Sequence, residues 1–379
     1  MSLRTRSIFT KLPRANQLTQ LTKPASRLSL LTNHLSLRTM ASSQVPKTMK
    51  GILIEKTGGT EVLQYKTDLP VPTPKDGEVL VKNDYIGINY IDTYFRTGLY
   101  PSPKPEILGK EASGHIVSLG PSVTGFSEND RVVWLGATGY AEYTAAPAAK
   151  TVKIPSAISS PDACAAILQG LTALTLTEEA HPVRNGDWVL VLAASGGVGG
   201  WLCQILKAKG VHTIATVGSE GKVAVAKESG AEVVVVEGEG VVQQKVKECT
   251  GGKGVVAVFD GVGKTTFDRS LEVVARKGTL VSFGNASGAV APFAVSKLSA
   301  KNNKVVRPSL FNYITTTEEF EQYTSKLFKL MTEDHMKVRI HETYPLKDVA
   351  RAHNVSMGMI IFVIHLMDVT GSRRPKDYG

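Results

Sequence analysis

Acidic residues are missing from the first 54 positions of this 379-residue chain, while nine basic ones, Arg4, Arg6, Lys11, Arg14, Lys23, Arg27, Arg38, Lys47 and Lys50, fall there. The net charge of +10 is therefore a local property: beyond Lys50, 35 Lys and Arg face 34 Asp and Glu. A near-neutral body offers no basic stripe for nucleic acid. Cysteine is scarce too. Cys164, Cys203 and Cys249 share no close spacing, which excludes a CxxC pair, a disulfide framework and a metal knuckle, and fits a reducing compartment. No long hydrophobic run is present. MIIFVIHLM, from Met359, would rise only about 14 Å as a helix against roughly 30 Å of hydrocarbon, so no membrane span is expected.

What the first 48 residues do contain is Arg, Ser, Thr and Leu, the composition of a mitochondrial transit peptide, with a disordered basic tail as the competing reading. The expectation is a mitochondrial matrix protein. Met40, in TMASSQ, could act as a second start that omits the leader and leaves a cytosolic form. At this length two domains are expected rather than one core.

From Met49 onward, KGILIEK, EVLQYK and EVLVKND alternate and are broken by Gly and Pro, as in LPVPTPKDGE, so a mostly antiparallel β domain is predicted. From about residue 185 the rhythm changes. WVLVLA precedes a helix after Gly199, VHTIATV one around 222–229, and AEVVVV one around 241–249; VVAVFD and GTLVSFG continue the alternation. Near-continuous Val and Ile runs suit strands covered on both faces, which gives an α/β fold with a doubly wound parallel sheet.

After the first of these strands comes AASGGVGG. Ala194, Gly196 and Gly199 fall at the three small positions of GxGxxG, for a tight turn, close approach to a pyrophosphate and helix packing. Ser195, Gly197 and Val198 complete the turn. The alanine departs from the pattern, but strand, turn, helix and second strand stand in the required order. The second strand, HTIATV, lacks an acid for the ribose hydroxyls of NAD and runs into Gly218, Ser219 and Lys222. A cation there can meet a 2′-phosphate, worth about 1.5 to 3 kcal/mol, which favours NADPH; a solvated helix lysine is the alternative. GVGKTT, 261–266, imitates a P-loop but has Val258 where the first glycine is required, so it reads as another strand-to-helix turn.

GINYIDTYFRTGLYP, GKEASGHIV, LQGLTALTL, AASGGVG, VFDGVG, VSFGNASG and RPSLFNYIT occur in this order between about residue 50 and residue 354. Together they resemble the zeta-crystallin type of NADPH:quinone oxidoreductase, in the medium-chain dehydrogenase/reductase superfamily. The resemblance implies a Rossmann NADP-binding domain (170–306) inserted in a mostly β, GroES-like catalytic domain (49–169 and 307–379), and commonly a homodimer. Zinc-dependent members of the superfamily carry a cysteine and a histidine where this chain has Asn89 and Lys110, so a zinc-independent reductase is implied. Without a Lewis acid, hydride transfer suits electron-poor acceptors, quinones or conjugated enones. By resemblance Asn89, Tyr94 and Tyr100 line the quinone pocket with Arg307 at its edge, Thr172 lies near the nicotinamide, and the backbone of Phe283, Gly284 and Asn285 meets its carboxamide. Sequence alone makes the two tyrosines core aromatics.

Two departures carry expectations. Glu237 stands where the family often has a tyrosine touching the 2′-phosphate, and would repel that phosphate if it lay nearby. After Asn354 the likeness stops, and VSMGMIIFVIHLMDVTGSRRPKDYG replaces the family's basic segment and final strand. A retained intron or a wrong gene model is implied, with loss of a strand from the catalytic domain and of a basic cofactor contact. Besides quinone reduction in redox defence, reduction of alkenals or other enones fits the same fold. AU-rich RNA binding, known among zeta-crystallin relatives, is a non-enzymatic alternative that the charge pattern does not favour.

Overall fold

In the computed structural model, residues 45–356 and 362–366 are described. From Pro46 onward they belong to one compact unit. The leader up to residue 44, with Met40, lies outside the described residues, as does the basic run within 367–379.

The chain begins with β1 (Thr48–Ile54), β2 (Gln64–Pro70), β3 (Glu78–Ile88), α1 (Tyr90–Thr97), β4 (Glu106–Ile107), β5 (Glu111–Leu119), β6 (Arg131–Leu135), β7 (Tyr143–Pro147), β8 (Thr151–Lys153) and α2 (Ser160–Thr175). There follow β9 (Trp188–Val191), α3 (Gly197–Ala208), β10 (His212–Val217), α4 (Val223–Glu228), β11 (Val233–Val236), α5 (Val241–Thr250), β12 (Val255–Asp260), α6 (Phe267–Val273), β13 (Val274–Ser282) and β14 (Lys304–Val306). The chain closes through α7 (Leu310–Tyr313), α8 (Thr317–Thr332), β15 (Glu342–Pro345), α9 (Val349–Ser356) and β16 (Phe362–His365).

β9 to β14 form a six-stranded sheet in the order β11-β10-β9-β12-β13-β14, every pair parallel. Val189 and Val191 point into one apolar cluster and Leu190 and Leu192 into another. A strand buried on both faces needs apolar residues at every position, and each fully buried aliphatic side chain adds about 1.5 to 3 kcal/mol. The helix expected after Gly199 starts two residues earlier, at Gly197. The other large sheet runs β15-β16-β3-β5-β6-β8, with β7 also on β3, and only the β15–β16 pair is parallel. Its residues pack around Trp134 and Tyr140, both fully buried. The boundary expected at residue 170 falls inside α2, which packs on both halves.

One expectation is corrected. The altered tail does not remove a strand, because Phe362–His365 fills the slot between β15 and β3. Val363 lies against Gly87 in register, Val363 and Ile364 are fully buried, and the His365 ring stacks on Tyr85 with centroids 4.8 Å apart. A slot flanked on both sides selects an extended apolar segment rather than one sequence, and FVIH meets that demand.

Candidate functional site

Two cavities meet at the turn between β9 and α3. The first, about 380 Å³, is lined by Asn89, Tyr94, Tyr100, Gln169, Thr172, Gly196, Gly197, Val198, Gly199, Phe283, Gly284 and Arg307 among others. The second, about 220 Å³, shares Gly196 and Gly197 and adds Ser195, Lys222, Lys337, Arg339 and His341.

The turn has the build of a phosphate cradle. Ala193 takes the left-handed conformation (φ +53°), uncommon for a residue with a Cβ. Thr216 holds it there: its carbonyl accepts from Ala194 N at 2.9 Å and its hydroxyl from Ala193 N at 3.3 Å. A Cβ on Gly199 would stand 2.5 Å from the Ala193 carbonyl oxygen, so only glycine lets α3 approach β9 this closely. The first-turn amides of α3 lack intrahelical acceptors, and the helix start favours negative charge. Ala194, expected to touch cofactor, is fully buried and lines neither cavity. Gly218, Ser219 and Asn285 are likewise absent from both linings, although the backbone of Asn285 is engaged as described below.

Glu237 lines neither cavity. Its carboxylate pairs with Arg269 at 2.5 Å and accepts from the Thr216 hydroxyl at 2.8 Å. Its charge is compensated, and it braces the residue that pins the glycine turn. Arg269 lies 32 positions away on α6, a separation that no local pattern connects.

Around the first cavity, α1 supplies Tyr94 and the loop after it Tyr100. The Tyr94 hydroxyl accepts from Asn285 N at 2.8 Å, and the Tyr100 hydroxyl from Arg307 Nη2 at 2.8 Å. Among the described residues neither phenol passes its own proton to an acceptor, so both can offer it to the cavity. Burial holds the Tyr94 hydroxyl well above the ordinary phenol value, so it stays protonated. Arg307 is fixed in turn: its Nη1 donates to the carbonyls of Ser282 (2.7 Å) and Gly284 (3.1 Å). The tyrosines are thus cavity walls with polar ends. Thr172 spends its hydroxyl proton on Leu168 O at 2.7 Å and turns only an acceptor outward.

Asn89 precedes α1, whose start is set by Asp92 accepting from Asn89 N at 2.9 Å. Its Nδ2 donates to Glu111 Oε1 at 2.6 Å and its Oδ1 accepts from Gln169 Nε2 at 3.1 Å. Glu111 also accepts from Leu168 N at 2.9 Å and is fully buried; burial pushes its carboxyl up to about 8. Lys110 lays its ammonium over the Phe95 ring, 4.2 Å from the centroid. The two residues in the place of zinc ligands are therefore committed elsewhere, an amide held at both ends and an ammonium with no lone pair to give. Among the described residues no group of three His, Cys, Asp or Glu is placed to hold a metal ion.

Beneath α1 lies a buried row that the sequence did not reveal. Arg96 Nη1 meets His353 Nδ1 at 2.9 Å, His353 Nε2 meets the Tyr140 hydroxyl at 2.9 Å, and Tyr140 donates to Asp92 Oδ2 at 2.8 Å. Arginine can only donate, so Nδ1 accepts and Nε2 carries the proton of a neutral imidazole. Burial, then the Arg96 charge, takes His353 down to about 3, while burial raises Asp92 to about 6. The row anchors the helix that presents Asn89 and Tyr94.

Residues 75–156 match the family model described as alcohol dehydrogenase GroES-like domain, and residues 197–329 that described as zinc-binding dehydrogenase. A Schizosaccharomyces pombe protein described as a probable quinone oxidoreductase is 45% identical over 305 residues, covering 80% of this chain and 92% of its own. The Escherichia coli quinone oxidoreductase, solved in complex with NADPH, superposes with a TM-score of 0.81 at 39% identity, covering 84% of this chain and all of its own. A mycobacterial protein, also solved with NADPH, gives 0.81 at 41% identity over 84% of this chain and all of its own. With likeness of this depth across both sheets and the turn between them, the chain belongs to the zeta-crystallin-like quinone oxidoreductases of the medium-chain dehydrogenase/reductase superfamily.

Proposed function

We propose that the chain reduces quinones with NADPH. The observation that carries this reading is the placing of two phenols with protons to offer, Tyr94 and Tyr100, across one cavity from a glycine turn built for a pyrophosphate. The residues fit the cofactor: the turn has no room for side chains at Gly199, and Lys222, Lys337, Arg339 and His341 surround the second cavity, where an anionic 2′-phosphate is favoured. NADPH, when bound, supplies a hydride from its nicotinamide.

The chain's own residues do the rest. Ser195 to Gly199 hold the pyrophosphate through backbone amides. The Phe283–Asn285 turn, fixed by Arg307 and Tyr94, orients the carboxamide end. The Tyr94 and Tyr100 hydroxyls meet the quinone oxygens, where negative charge develops as hydride arrives, and stabilise it without reorganising. Burial keeps the Tyr94 phenol protonated and so a hydrogen-bond donor, and the proton that completes the hydroquinone arrives from water or an ordered side chain.

Consumption of NADPH across a panel of quinones and enones tests the reading, and absence of any quinone-dependent consumption would end it. The basic leader supports import into mitochondria as a further part of this reading. Fractionation of cells expressing the full chain, or the chain from Met40, tests that. A homodimer is the assembly implied by the family, and sedimentation of the purified protein decides it.

A further inference from the structure

Gln169 sits on α2 between Asn89 and the start of α3, and the residue is buried, at 7% exposure. Its orientation is dictated from Glu111. Glu111 Oε1 accepts from Asn89 Nδ2 (2.6 Å), which turns the Asn89 Oδ1 away from the carboxyl. Oδ1 accepts, so Gln169 must turn Nε2 toward Asn89 (3.1 Å) and Oε1 away. That oxygen has no hydrogen-bond partner among the described residues. Gln169 lines the first cavity, and its Oε1 lies against Gly197, where a Cβ would come within 1.8 Å of it. A buried acceptor without a donor costs about 1 to 3 kcal/mol, so an orphan at a cavity wall marks where a ligand's donor belongs.

The position limits the donor. A pyrophosphate oxygen accepts only, and would be repelled by another acceptor. Next to the pyrophosphate, on the nicotinamide side, a dinucleotide carries ribose hydroxyls. Resting on the cofactor reading above, we propose that Gln169 Oε1 accepts a hydrogen bond from a hydroxyl of the nicotinamide ribose, making Gln169 a cofactor-contacting residue held in register by Asn89 and Glu111. The row also explains two glycines: a Cβ on Gly87 would come 2.0 Å from Glu111 Oε1, and one on Gly197 would strike Gln169, so glycine at both ends leaves the three side chains room.

The test is a binding cycle, read by fluorescence titration in the absence of quinone. NADPH and its analogues lacking the 2′- or 3′-hydroxyl of the nicotinamide ribose are titrated against the unchanged chain and Gln169→Met, which keeps the length and removes the acceptor. One hydrogen bond corresponds to about a three- to tenfold change in Kd. The unchanged chain should bind one deoxy analogue that much more weakly than NADPH, and Gln169→Met should bind NADPH equally weakly and no longer distinguish that analogue. Gln169→Leu serves the same cycle if the methionine variant does not fold. Unaltered NADPH affinity in the variant, or a deoxy penalty that persists in full, overturns the assignment. Failure of the unchanged chain to bind NADPH at all would instead end the cofactor reading itself.

Discussion

Replacing Tyr94 with phenylalanine isolates the group on which quinone reduction is argued to depend. The ring stays, with its contacts to Tyr90 and Tyr100 at centroid distances of 5.5 and 5.0 Å, and only the hydroxyl goes. Two consequences follow from geometry. The cavity loses a donor aimed at developing negative charge, and a hydrogen bond to a charged group is worth about 1.5 to 3 kcal/mol, hence a fall in kcat of roughly tenfold to a hundredfold. Asn285 N loses its 2.8 Å acceptor, but the residue is only partly buried and water can replace the hydroxyl, so the stability cost sits near the low end, about 1 kcal/mol. Steady-state kinetics with NADPH and a soluble quinone, beside a urea denaturation curve, separate the two. The loss should fall on kcat, with KM for NADPH little changed. A variant that keeps its kcat while losing stability would show that the hydroxyl serves only to hold the Phe283–Asn285 turn, and would refute the reasoning.

Gly199→Ala should abolish NADPH binding or unfold the turn, since its Cβ would stand 2.5 Å from backbone that cannot yield; cofactor titration and a thermal melt check it, and normal binding would contradict the packing argument. Lys222→Ala should raise KM for NADPH about tenfold to a hundredfold and leave that for NADH almost unchanged, a difference that kcat/KM for the two cofactors measures directly. Glu111→Gln should flatten the stability profile with pH. The folded carboxyl keeps its proton until about 8, whereas the unfolded one releases it near the ordinary 4.5, so the contribution present below pH 4.5 is lost as pH rises to 8. Denaturation at pH 5 and 8 should show the unchanged chain losing stability relative to the variant, and parallel profiles would overturn the sign.

What was legible in the sequence was what local pattern determines. The runs from β9 to β13 announced themselves because a doubly covered strand tolerates no polar position, and the glycine turn because sterics at Gly199 and Gly197 admit nothing larger. Asn89, Tyr94, Tyr100 and Arg307 were reached through family likeness, and they do line one cavity. The row Glu111, Asn89, Gln169 was not legible, since its members lie 22 and 80 positions apart and only the meeting of β5, α1 and α2 makes them neighbours. The same holds for Arg96, Tyr140 and His353, ordinary surface residue types by composition that the fold buries together. Whether Glu237 lies near a 2′-phosphate is not legible in the sequence either, because its partners, Arg269 and Thr216, come from other elements. The tail misled in the opposite direction: the likeness read from the sequence stops at Asn354, yet Phe362–His365 is a short apolar β-forming segment that pairs with both β15 and β3.

The most direct test of the account is the rate of NADPH consumption by the purified full chain with a quinone panel, compared with NADH and with no acceptor. Quinone-dependent turnover that is faster with NADPH is the predicted result. No quinone-dependent oxidation of either cofactor, from protein shown to be folded, would contradict it.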